Sequence, residues 1–133
     1  MLGTAVACSG PTEAPAAASA AAADQTETLD LADTVDVDTV ASVKDRTDVF
    51  VIDVREQWEY DEGHIPGVTL IPMGEVANRL AEIPTDKEVI VTCRSGNRSG
   101  QITDFLRQQG FDNVHNMDGG ILAWQAAGYD VEQ

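Results

Sequence analysis

Basic residues are scarce in this sequence of 133 residues: 8 Lys and Arg stand against 23 Asp and Glu, giving a formal charge of −15 at pH 7. The first thirty residues hold four acids (Glu13, Asp24, Glu27 and Asp30) and no Lys or Arg, which leaves the remainder at −11. A surface of that sign repels phosphate backbones and anionic lipid headgroups, so a nucleic-acid role is excluded. Cysteine is almost as rare. Only Cys8 and Cys93 occur, and two such distant residues define no disulfide framework. With one cysteine after residue 30, that part of the chain has no C-x-x-C redox pair, no zinc knuckle and no resolving thiol for Cys93. No apolar run approaches the ~18 residues of a membrane-spanning helix, and no internal repeat occurs.

The N-terminal stretch Met1-Leu2-Gly3-Thr4-Ala5-Val6-Ala7-Cys8 is small and apolar. It resembles the lipobox of bacterial lipoproteins, in which the chain is cut before a cysteine that then carries lipid. It departs from a full secretory signal in having no positive n-region and a short apolar part. Residues 11–28 are Ala, Pro, Ser and Thr with a few acids, and none is an aliphatic larger than Ala. Such a segment buries too little surface to offset the entropy of ordering. Residues 1–8 are therefore expected to be a signal remnant, 9–30 a disordered tether, and 31–133 the folded domain. The expected location is extracytoplasmic, with Cys8 as the lipidation site and the only link to a membrane. The alternative is a cytoplasmic protein.

From about residue 30 short apolar runs alternate with amphipathic stretches. Val49–Ile52 and Val89–Val91 are continuous and rich in β-branched residues, the pattern of strands buried on both faces of a parallel sheet. Val68–Ile71, Val114–Asn116 and the region of Val35–Val37 are shorter strand candidates. Helical patterns cover 38–44, 75–81, 99–109 and 121–127, and Gly110 and Gly128 stop the last two. Strand and helix alternation with short links predicts an α/β domain with a mostly parallel sheet. Ligands in such sheets sit beyond the carboxyl ends of the strands.

The segment Val89-Ile90-Val91-Thr92-Cys93-Arg94-Ser95-Gly96-Asn97-Arg98-Ser99 reads as strand, polar loop and helix start. The first turn of a helix has unpaired N–H groups and the positive end of the dipole. Gly96 lets the loop fold tightly with its amides turned inward. Arg94 and Arg98 add cations to a chain that has few. A cysteine in such a field ionises more readily than a free thiol, so Cys93 is expected to be a nucleophile. Protein tyrosine phosphatases space the cysteine and arginine as Cys-x5-Arg. Here Arg98 is one residue closer, and the tighter loop has less room for phosphate and suits a single sulfur atom.

Cys93-Arg94-Ser95-Gly96-Asn97-Arg98-Ser99 resembles the active loop of single-domain rhodanese-like sulfurtransferases. Three further segments agree with that family in the same order: Val51-Ile52-Asp53-Val54-Arg55-Glu56, Glu62-Gly63-His64-Ile65-Pro66-Gly67 and Gly119-Gly120-Ile121-Leu122-Ala123-Trp124. Together they span about residues 34–131. The resemblance implies a three-layer α/β/α fold. It implies that Cys93 takes a sulfane sulfur as a persulfide, and that Arg94, Ser95, Gly96, Asn97 and Arg98 form the cradle. Asp53 and Arg55 would lie beside the loop, as supporting residues or as a structural ion pair. The partners implied are a small sulfur-containing anion or persulfide donor and a thiol acceptor, with no metal and no organic cofactor. The alternative is a non-catalytic binding or sensing module at the cell surface. Glu56 and Glu59 are expected to make an acidic rim that weakens thiosulfate binding. His64 is expected to fix a turn, His115 to be unremarkable, and Trp58 and Trp124 to be core residues.

Overall fold

The computed structural model describes residues 29–133. The lipobox-like stretch with Cys8, and the tether as far as residue 28, lie outside the described residues. Leu29 and Leu31 already pack on the core.

Five strands, β1 (Thr34–Val35), β2 (Val49–Asp53), β3 (Thr69–Leu70), β4 (Glu88–Thr92) and β5 (Val114–Met117), form one sheet in the order β1-β5-β4-β2-β3. All pairings are parallel. The central strands β2 and β4 are nearly pure Val, Ile and Phe because each side chain, up or down, enters a core. Val49, Val51 and Ile90 point to one face, with Val40 and Val43 of α1 (Val37–Val43) and Ile121 and Trp124 of α4 (Gly120–Ala126). Tyr60 of α2 (Gln57–Glu62) packs on the same side. Ile52, Val89 and Val91 point to the other face, with Ile102 and Leu106 of α3 (Asn97–Gln108). The result is a three-layer α/β/α domain.

Local sequence sets the element ends. Asp36 caps α1, its carboxylate accepting from the Thr39 amide at 2.8 Å. The expected helix over 75–81 is instead two 3₁₀ turns, Met73–Asn78 and Leu80–Glu82. The segment lies between Pro72 and Pro84 and seats only Val76 and Ile83 fully in the core, so it offers no continuous apolar stripe to hold an α-helix against the sheet. In the sheet register Asp53 lies beside Thr92, and Val91 beside Asn116. The carboxyl ends of the strands therefore gather Asp53, Cys93 and Asn116 on one edge.

Candidate active site

Cys93 follows β4 and keeps its period-two alternation, so its side chain emerges on the face of Val89 and Val91, under α3. The chain then turns through Arg94 and Ser95 into Gly96, which precedes α3 with φ of 97°. That left-handed conformation is natural only to glycine. It aims the Gly96 amide back at Cys93, and N–H donates to Sγ at 3.0 Å. Cys93 is 1% exposed. Burial alone pushes the thiol pKa up. The Ser99 hydroxyl and the amides of Ser99, Gly96 and Ser95 outweigh it, so the pKa lies below its ordinary value.

The loop carbonyls face outward because another element binds them. The Ile121 amide donates to the Cys93 carbonyl at 2.8 Å and the Leu122 amide to the Arg94 carbonyl at 3.1 Å. This contact, with the left-handed φ of 81° and 60° at the turn into α4, explains the Gly119-Gly120 pair. A Cβ on Gly120 would overlap the carbonyls of Arg94 and Cys93, and one on Gly96 would sit 2.9 Å from the Gly119 amide. With the carbonyls occupied by α4, the amides are left to face the sulfur.

The charged residues pair across elements. Arg98 forms a fork with Glu59 of α2, both N–O distances being 2.9 Å. The hydrogen bonds from Arg98 hold the Glu59 carboxyl down to about 2 against the opposing effect of its burial. The Glu59 carboxylate also accepts from the Glu56 amide at 3.0 Å. Arg55 is likewise forked onto Asp53 and donates to the Gly63 carbonyl at 2.7 Å. Both pairs are therefore largely neutralised. Arg94 is exposed and has no ion-pair partner among the described residues. It lines a cleft of about 220 Å³ together with Arg55, Trp58, Glu59, Glu62 and Leu122, and Cys93 forms no part of that lining.

Of the cradle residues, Gly96 donates directly to the sulfur, Ser95 and Asn97 are exposed in the loop and at the start of α3, and the Arg98 guanidinium is turned to Glu59. Three expectations are corrected, for Glu59, Trp58 and His115. Glu59 is buried rather than part of an acidic rim, because Arg98 reaches it across the site. Trp58 is 62% exposed at the cleft mouth, whereas Trp124 is 2% exposed with Nε1 donating to the Asp130 carbonyl. Both tryptophans sit in amphipathic helices, but Trp58 belongs to the outward side of α2. His64 stacks on Tyr60 and bonds its carbonyl through Nδ1, fixing the turn after α2. His115 is not idle: it is buried and bridges the Ala32 carbonyl and Glu88. Sequence reasoning named Glu59, Ser99, Asn116 and Gly120 but missed the role each plays at the site. Ser99 alone carried a usable signal, a hydroxyl in the first turn after the loop. No group of three or more His, Cys, Asp and Glu suited to a metal occurs among the described residues.

The rhodanese-like domain family matches residues 36–127. The chain belongs to this family. It is 41% identical over 87 residues to a sulfurtransferase of Allochromatium vinosum, covering 65% of this chain and 81% of that protein. It is 37% identical to the thiosulfate sulfurtransferase GlpE of Pseudoalteromonas translucida, over 62% of this chain and 79% of that one. Among solved structures, a rhodanese-related protein of Thermoplasma volcanium superposes with a TM-score of 0.70 at 31% identity, covering 76% of this chain and 98% of that chain. A rhodanese-like domain protein of Staphylococcus aureus gives 0.66 at 26% identity, covering 77% and 100%.

Proposed function

We propose that this rhodanese-like domain is a sulfurtransferase that carries sulfane sulfur on Cys93. The Cys93 thiolate attacks the outer sulfur of a donor, thiosulfate or a persulfide. A new S–S bond forms as the donor's S–S bond breaks, and the leaving group (sulfite or a thiolate) departs with the electron pair. A thiolate acceptor then attacks the outer sulfur of the Cys93 persulfide and regenerates the thiolate. The inward amides stabilise negative charge on sulfur at each stage, and the two half-reactions give ping-pong kinetics. The observation that carries this reading is the Gly96 amide donating to Sγ at 3.0 Å from a loop whose carbonyls are bound elsewhere. Neutralisation of Glu59 by Arg98 and the unpaired Arg94 favour an anionic donor at the cleft.

The test is intact mass after incubation with thiosulfate and with a small-molecule persulfide. The expected result is a gain of one sulfur that is absent in Cys93→Ser. No adduct from either donor defeats the reading. The second reading, a non-catalytic module, draws on the 1% exposure of Cys93, and absence of the adduct favours it. For the N-terminus we propose lipidation at Cys8 and an extracytoplasmic location, supported by the sequence Ala5-Val6-Ala7-Cys8. Fatty-acid labelling of the full chain but not of Cys8→Ala is expected, and equal labelling of the two rejects it.

A further inference from the structure

Among the described residues three large hydrophobic side chains are exposed, Trp58 at 62%, Leu122 at 44% and Val131 at 36%. Scattered singly, such residues need no explanation, but these three are gathered. Trp58 of α2 and Leu122 of α4 line the cleft of about 220 Å³ beside the nucleophile loop. Val131 stands behind its wall, 3.9 Å from where a Cβ on Gly63 would lie. The charges of the cleft are few and balanced. Arg55 is paired with Asp53, and Glu59 with Arg98. That leaves one cation, Arg94, and one anion, Glu62, both exposed and without an ion-pair partner among the described residues. Thiosulfate is a compact dianion. It would find one free cation for two charges, with Glu62 on the same cleft, and would leave Trp58 and Leu122 in water. The cleft reaches Arg94 but does not include Cys93, which is 1% exposed. It therefore suits the body of a donor whose narrow S–S end alone advances to the sulfur.

We propose that this cleft selects the carrier of the sulfur: the donor is the persulfide of a small zwitterionic thiol, an amino acid or short peptide, whose carboxylate meets Arg94, whose ammonium meets Glu62 and whose apolar stem lies on Trp58 and Leu122. A guanidinium pairs with a carboxylate as a fork. An ammonium gains both from the Glu62 carboxylate and from the face of an indole. Trp58, Leu122 and Glu62 are then specificity residues and take no part in bond making. The Cys93 thiolate attacks the outer sulfur of the bound R–S–SH. A new S–S bond forms to Cys93 as the old one breaks, the outer sulfur keeps its proton, and R–S⁻ leaves with the electron pair. The released thiol keeps every group that held the donor, so it competes with the next donor for the cleft. The inference deepens the sulfurtransferase reading and rests on it for its use in turnover, but binding of the carrier is measured without any transfer.

The experiment follows sulfur loading of Cys93 by intact mass in the full chain carrying Cys8→Ala. The donors are thiosulfate and the persulfides of cysteine, of cysteine methyl ester, which lacks the carboxylate, and of 3-mercaptopropionate, which lacks the ammonium. Each donor is compared with itself across variants, which cancels its intrinsic reactivity. Trp58→Ala is expected to lower the second-order loading rate constant about five- to tenfold more for cysteine persulfide than for thiosulfate. Glu62→Gln is expected to lower it about three- to tenfold more for cysteine persulfide than for the 3-mercaptopropionate donor. Arg94→Ala should likewise discriminate cysteine persulfide from its methyl ester. Equal losses across the compared donors in any one of the three variants overturn the proposal. A second measurement needs no transfer. In Cys93→Ser, cysteine itself is expected to shift the indole N–H resonance of Trp58 and to spare that of Trp124, which is bound to the Asp130 carbonyl. The titration should weaken in Glu62→Gln. A Trp58 resonance that cysteine does not move overturns the proposal. If the resonance moves while no donor loads Cys93, the cleft's ligand stands and the function reading fails. Loading that ignores the carrier gives the reverse.

Discussion

Arg98 and Glu59 face each other across the site as a two-pronged ion pair, which ties the first turn of α3 to α2 with both N–O distances at 2.9 Å. The guanidinium that sequence placed in the sulfur cradle therefore spends its charge on a buried carboxylate.

That pair makes stability depend on pH with a definite sign. The Glu59 pKa falls from 4.5 to about 2 on folding, so the ionised form is favoured in the folded state. Its contribution is fully present above pH 4.5 and is lost as pH falls toward 2. Glu59→Gln is expected to lower stability at pH 7 by about 2 kcal/mol, less than the full shift implies because Arg98 is partly solvated. Urea unfolding of both proteins from pH 7 down to pH 3 checks this. The gap between them should narrow with acid, and a constant gap excludes the ion pair as its cause.

Gly120→Ala and Gly110→Ala separate backbone strain from the role of α4. Gly110 has φ of 101° and nothing within 4 Å of a new Cβ, while Gly120 has φ of 60° and faces the loop carbonyls. Gly110→Ala is expected to cost about 1 kcal/mol and to leave sulfur loading intact. Gly120→Ala displaces the loop and is expected to reduce loading at least tenfold, beyond what any stability loss explains. Loading rates and thermal unfolding measured on both variants decide it.

Among the described residues lining the cleft, Arg94 is the cation with no ion-pair partner, and on the proposed function it is the one that meets an anionic donor. Arg94→Ala is expected to raise the thiosulfate KM about three- to tenfold at low salt, with the difference shrinking toward high salt as the field is screened. The rate constant at saturation should change less. An equal effect at all salt concentrations points to a contact rather than a field.

The two tryptophans answer differently to truncation. Trp58→Ala is expected to change stability by less than about 0.5 kcal/mol, and Trp124→Phe, which keeps most of the bulk but removes the hydrogen bond to the Asp130 carbonyl and part of the buried ring, to cost about 1 kcal/mol or more. In the unsubstituted protein a soluble quencher should reach Trp58 and spare Trp124. Matched quenching of both would contradict their placement.

The sheet was legible because Val49–Ile52 and Val89–Val91 announce burial on both faces, and Cys93-x4-Arg98 before a helix announces an inward amide loop. What was not legible depends on partners far apart in the chain. Glu59 reads as a solvated acid until Arg98, 39 residues on, is seen to reach it. Asn116 sits in one of the shorter strand candidates, and only the parallel register that sets it beside Val91 brings it to Ser99. Trp58 and Trp124 share an aromatic side chain and a helical setting. Only the docking of α2 and α4 on the sheet tells inside from outside. The turns over 73–82 misled because apolar spacing there suggests a helix, whereas the packing seats only Val76 and Ile83 of the segment fully in the core.

The bonds from the Ile121 and Leu122 amides to the loop carbonyls also set an order of events during synthesis. The strand and the Cys93 loop leave the ribosome before α4, and until those residues arrive the Cys93 and Arg94 carbonyls lack these partners. A chain ending before Gly119 is expected to hold its loop less firmly and to carry a less acidic Cys93 thiol.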